Sequence, residues 1–178
     1  MNKQKRKYLW LLPGLMVVLF CACFLIAGTW VITFEVDNSK IKVDEGPFYK
    51  YVVNLNDNSD WNDNKDKLDN IEDVVFTFKL VNPGSTVMTG QVYVSPDSTL
   101  NTIAAVESTA TLILDKISVP AHETLYVDMA HYYDLLENFD ALRDIVKPGV
   151  FTAYGIVPNP IQGDLYDAVV IVTVSAGP

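Results

Sequence analysis

Six oxygen-bearing side chains, Asp57, Asp60, Asn62, Asp63, Asn64 and Asp66, crowd ten consecutive positions. Oxygen ligands at alternate positions are what a hard cation such as calcium requires, and the Asp60, Asn62, Asn64 spacing matches the first three ligands of an EF-hand loop. The match stops there, because Lys65 stands at the glycine position and Ile71 at that of the bidentate glutamate. Two readings stay open: an adventitious calcium site on Asp60, Asn62 and Asn64, or the solvated start of a capped helix. Calcium is the single candidate cofactor.

Other chemistry is sparse. His122 and His131 are the two histidines, and neither has a second ligand at metal spacing. No serine lies in a nucleophile elbow and no glycine-rich phosphate loop is present. Carboxylate pairs such as Glu72-Asp73 are too common at strand starts to nominate a general acid and base. No catalytic residue is expected, and the chain is not expected to be an enzyme. Tyr132, Tyr133 and Phe139 are candidates for an aromatic contact with a partner or a lipid. The same spacing is that of a helix packed on a core.

The N-terminus places whatever follows it. Lys3, Lys5, Arg6 and Lys7 precede any acidic residue, and residues 8–34 carry no charge. About 20 helical residues cross a hydrocarbon core, so this run is long enough to contact or span a membrane. The leading cations should stay in the cytoplasm, which puts the rest in the periplasm or at the cell surface. Three treatments of the run remain: an uncleaved signal anchor, a lipoprotein signal with Cys23 lipidated, or cleavage near Ala27-Gly28. Both cysteines, Cys21 and Cys23, lie inside it, so the remainder has no disulfide and no cysteine metal site. A membrane segment at 1–28 and one extracytoplasmic domain at 29–178 are therefore expected. After the apolar run there are nine basic residues against 22 acidic ones, a formal charge of −13. Such a surface repels phosphate backbones, so nucleic acid is not an expected partner.

The elements expected in that domain are mainly strands. Residues 30–36 read as either the membrane exit or a first strand. Residues 48–55 alternate as a strand, and a short helix pinned by Trp61 and Leu68, capped by Ser59 or Asp60, is expected within 56–73. Strands follow at 74–81, 89–95, 110–114 with 117–120, 124–129, 150–157 and 168–174, the first of them ending at the turn Asn82-Pro83-Gly84. Tyr132, Leu135, Leu136, Phe139, Leu142, Ile145 and Val146 repeat at three and four, predicting one helix over 132–146 that ends at Lys147-Pro148-Gly149. About seven short strands with turn chemistry between them predict an antiparallel β-sandwich, covered by that helix and carrying one short helix.

The strand, Asn82-Pro83-Gly84 turn and second strand with Tyr93, over 74–94, resemble the opening of the water-stress/hypersensitive-response (WHy) domain of group 2 late-embryogenesis-abundant proteins. Ile117-Ser118-Val119-Pro120-Ala121, the strand from Thr124, the 135–142 helix and the 150–156 strand are similar to its later half. The resemblance covers residues 73–155; the 56–73 stretch and the tail after Pro158 depart from the pattern. It implies a β-sandwich with a helix, no established catalytic residues, and a connection with stress protection or lipid contact, often behind a membrane anchor or lipoprotein signal.

The first functional expectation is a membrane-anchored, non-enzymatic binding or structural module of the cell envelope, engaging an unspecified protein or envelope component. A second is a carrier of a lipid or small hydrophobic ligand, held in a cleft between the sandwich and the 132–146 helix. A third is a calcium-dependent adhesive domain. A solvent-exposed apolar cleft under that helix favours the carrier, whereas a tightly filled core favours the module.

Overall fold

The β-branched and aromatic runs around Val74 and Val170 pair as the two longest strands, β4 (Leu68–Val81) and β9 (Asp164–Ala176). They form the centre of one of two antiparallel sheets. The computed structural model describes residues 29–36, 41–42, 48–157 and 163–176. Around the central pair stand β1 (Thr29–Glu35), the two-residue β2 (Ile41–Lys42) and β7 (Thr124–Val127), in the order β1-β9-β4-β7 with β2 also on β9. The second sheet has the order β3-β8-β5-β6, built from β3 (Phe48–Asn54), β8 (Val150–Ile156), β5 (Met88–Ser95) and β6 (Thr111–Val119). The expected mainly β, two-sheet architecture is present.

The ambiguous run at 30–36 is a strand. Trp30 pairs with Val174 and Glu35 with Val169, and Ile32 is buried in the core. The sandwich therefore takes residues 29–34 out of the uncharged run, leaving 8–28 as the candidate membrane segment, still about 20 residues. That segment lies outside the described residues. Among the described residues no helix is long and apolar enough to cross a membrane.

Inward positions of both sheets make one core, with Val53, Val74, Val94, Ile113, Phe151, Val172 and Val174 essentially inaccessible. The end of the sandwich where β1 begins and β9 finishes is plugged. A 3₁₀ turn (Leu55–Asp57) and α1 (Ser59–Asn64) bring Leu55 and Trp61 into the core. Gly149 is what lets Trp61 in. Its φ of 84° is open to glycine, and a Cβ there would lie 2.8 Å from Trp61 Nε1.

The expected single helix over 132–146 is two helices, α3 (Met129–Leu135) and α4 (Phe139–Val146). Between them the chain becomes extended, because β6 has an open edge there that needs partners. Leu136 bridges to Leu114, the Glu137 amide donates to the Ile113 carbonyl at 2.9 Å, and Asn138 Nδ2 donates to the Leu112 carbonyl at 2.9 Å. Strand pairing overrides the helical period at these three residues.

Smaller differences have similar causes. The cap of α1 is Asn58, whose side chain accepts from the Asp60 and Trp61 amides, in place of the expected Ser59 or Asp60. Leu68 is in β4 and not in that helix. The expected pieces 110–114 and 117–120 are one strand, β6, kinked at Lys116, whose φ is 58° beside register shifts in the pairing with β5. A helix absent from the sequence reading, α2 (Ile103–Thr109), is capped by Thr102 and covers the outer face of the second sheet. Its Val106 joins Tyr93, Leu100, Tyr154 and Ile156 in a separate apolar cluster.

At the other end of the sandwich Asn82 ties two turns together. Its Nδ2 reaches the carbonyls of Thr86 (2.8 Å), Val119 (3.0 Å) and Pro120 (3.0 Å), and its Oδ1 accepts from the Gly84 amide at 3.0 Å. Two hydrogens shared among three acceptors make one of these bonds bifurcated. The side chain is fully buried, so its amide replaces water for backbone groups that would otherwise be stranded.

Candidate functional site

Filling the gap between two packed sheets, about 10 Å deep, takes large side chains from both inner faces. In the plugged half Phe151, Trp61, Tyr132 and Leu142 supply them, each at most 1% exposed. In the other half the inward positions shrink. Along β8 they step from Phe151 to Ala153 to Gly155, alternate residues on one face of the strand. Gly90 on β5 and Ala168 on β9 are equally small, and together these leave an apolar cavity of about 140 Å³ between the sheets.

Large residues frame the cavity. Phe76, Phe78 and Leu80 come from β4, Leu114 and Ile117 from β6, and Val36 from the residue after β1. Tyr49 and Tyr51 of edge strand β3 face it from positions two apart, both half-buried. Tyr51 pairs with Ala153 and Tyr49 with Gly155, so one aromatic residue stands across from a single methyl and the other across from bare backbone. A Cβ built on Gly155 would meet only the Tyr49 Cβ, at 4.0 Å. Burial pushes the Tyr49 phenol above its ordinary pKa, with the neighbouring Tyr51 adding to the effect.

Among the described residues the lining contains no charged side chain. Apart from the two phenols its polar residues are Thr77 and Gln91. The Gln91 amide already donates to Asp115 at 2.8 Å, which holds the Asp115 carboxyl below its usual range, and its carbonyl accepts from the Tyr93 phenol at 3.3 Å. The described lining offers an ion nothing to offset its desolvation. It can bind apolar matter.

The candidates from the sequence fall elsewhere. Asp60, Asn62 and Asn64 all lie on α1, where two residues advance by about 200° and put Asn62 on the side away from the other two. Asn64 Nδ2 donates to the Asp60 backbone carbonyl at 2.8 Å. The three do not converge on a point, and the calcium reading gains no geometric support. Among the described residues no group of three or more His, Cys, Asp or Glu side chains could hold a metal ion. Cys23 lies outside the described residues.

Tyr132, Tyr133 and Phe139 do not form one surface patch. Tyr132 points into the core with its ring centroid 6.2 Å from that of Phe76, and burial drives its phenol pKa far upward. Tyr133 is 47% exposed and donates its phenol to the Asp73 carboxylate. Phe139 is half-buried under the Arg143 guanidinium, 5.7 Å from its ring centroid. The space beneath these helices, where a carrier's cleft was expected, is filled by Tyr132, Leu142 and Val146. The cavity lies between the sheets instead, in the half away from α4. The signal that could have located it is the pair of small residues Ala153 and Gly155 at alternate positions of an otherwise bulky strand.

The chain matches no protein-family model and no curated protein.

Proposed function

We propose that the chain is a membrane-tethered, extracytoplasmic, non-enzymatic binding module whose site is the cavity between the two sheets, and that its ligand presents a small neutral apolar group. The observation that carries this reading is the cavity itself, about 140 Å³, lined among the described residues by mostly hydrophobic side chains and no charged one. An engineered apolar cavity of about 150 Å³ stays dry and takes up benzene. The space here is close to that size, which suits one ring or the end of an apolar chain. The carrier reading thereby narrows to recognition of a ring or a chain end.

Several features support this placement and role. The uncharged segment at 8–28 follows a basic cluster, and the acidic domain after it is suited to an aqueous compartment. Kinship with the WHy domain belongs to the same proposal: a β-sandwich with a helix is what it implies, and two antiparallel sheets are compatible with that.

Thermal unfolding of the full chain in detergent, with and without benzene, tests the reading. A ligand at a hundred times its Kd stabilises by about 2.7 kcal/mol, or roughly 5–10 °C in Tm for a chain of this size. A benzene-dependent rise that disappears in Gly155→Leu supports the site. Equal behaviour of the two proteins, or no rise in either, removes it.

A further inference from the structure

Rings in this sandwich fall into two groups. Toward the plug they meet one another. Phe76 meets Phe151 edge-on, with centroids 6.4 Å apart and planes at 88°, and Tyr132 packs against both Phe76 at 6.2 Å and Tyr133 at 5.4 Å. Tyr49, Tyr51 and Phe78 line the cavity, and among the described residues none of these three has a ring beside it.

The three come from both walls. Tyr51 pairs with Ala153 and Tyr49 with Gly155 on the inner face of the second sheet, whereas Phe78 pairs with the buried Val127 on the inner face of the first. In a gap about 10 Å deep, a guest has rings of both sheets within reach. Between the rings the second sheet is nearly bare, with one methyl at Ala153 and backbone alone at Gly155 and Gly90. A planar guest can lie flat on such a floor.

Both a ring and an alkyl chain end would gain from leaving water here, but a ring gains more. Its π-system carries a quadrupole, negative on the face and positive at the edge, so an offset or edge-on contact with each wall ring adds to the area term. The addition is worth about two- to tenfold in affinity per ring pair.

We infer that the cavity selects an aromatic ring over the end of an aliphatic chain. This deepens the function proposed above and rests on it. The guest is an uncharged planar ring, either a free small molecule or the end of an aromatic side chain, and Tyr49, Tyr51 and Phe78 set the preference.

The test is methyl NMR of the full chain in detergent, reading occupancy at Ala153 and Ala168, with benzene and with cyclopentane, an aliphatic ring of similar volume. Each guest is compared with itself between the unsubstituted chain and the variants Phe78→Leu and Tyr51→Leu, so its uptake by detergent cancels. Either variant should lose about two- to tenfold more affinity for benzene than for cyclopentane. Retained cyclopentane binding shows that a variant still forms the site, and if one variant does not fold the other carries the comparison. Equal losses for the two guests, or a larger loss for cyclopentane, would overturn the preference while leaving the binding site in place. No saturable shift with either guest in the unsubstituted chain would remove the binding reading and the preference with it. N-acetylphenylalaninamide in a further titration separates the sources: saturable shifts assign the ring to a peptide, and shifts with benzene alone assign it to a free small molecule.

Discussion

Tyr49 stands directly across from Gly155, and the space a side chain would occupy at that glycine is bounded only by the tyrosine's own Cβ at 4.0 Å. One edge strand thus supplies rings while its neighbour withdraws, and the inner layer of the second sheet thins from Phe151 to Gly155.

Filling that space should separate binding from stability. Gly155→Ala is expected to raise stability by about 0.5–1 kcal/mol, because glycine in a strand interior carries that entropic cost. Gly155→Leu should keep the fold and weaken benzene binding at least tenfold, about 1.4 kcal/mol. Urea unfolding and calorimetric titration of both variants measure the two effects.

Gly149 should tolerate no such change. Its φ of 84° is strained for any other residue, and a Cβ would also press on Trp61 Nε1 and on Asn56 Nδ2 at 3.2 Å. Gly149→Ala is expected to cost about 2 kcal/mol in urea unfolding from the backbone alone, and more from displacing the Trp61 ring.

Asn82→Ala should be among the costlier polar substitutions. It strands the Val119 carbonyl and the Gly84 amide beside an emptied buried site. The expected loss is about 3 kcal/mol. Asn82→Asp should not rescue it, since a carboxylate would face three carbonyls with no hydrogen to give. Denaturant midpoints of the two variants compare them.

The Tyr133 phenol gives a pH signature. Hydrogen bonding to Asp73, reinforced by burial, raises its pKa to about 12 from 10.0. The folded value lies above the unfolded one, so this contribution is complete below pH 10.0 and is lost as the pH climbs through about 12. Spectrophotometric titration of the folded chain should show a late phenol near pH 12 that is missing in Tyr133→Phe. An unchanged late phase in that variant would assign it to another tyrosine.

Legibility in the sequence followed how local each cause is. Val169 to Val174 and the Asn82-Pro83-Gly84 turn declare strand and turn through their own conformational preferences, and both are found. The period from Tyr132 to Val146 promised one helix, but Leu136 and Glu137 answer to the edge of β6, a partner remote in sequence. The small helix α2 was missed because only Ile103 and Val106 mark its apolar face. Ala153 and Gly155 at alternate positions of a bulky strand hint locally at the cavity, but its walls depend on what stands opposite Gly155, Gly90 and Ala168 across two sheets, which lies far away in sequence. The acidic cluster around Asp60 drew notice through composition, yet helical geometry disperses its oxygens.

The most direct measurement is a benzene titration of the full chain followed by methyl NMR. Saturable shifts confined to Ala153, Ala168, Val92 and Ile117, with Leu142 and Val146 unmoved, are the predicted result. Shifts spread evenly over both halves of the sandwich, or none that saturate, would contradict a ligand site between the sheets.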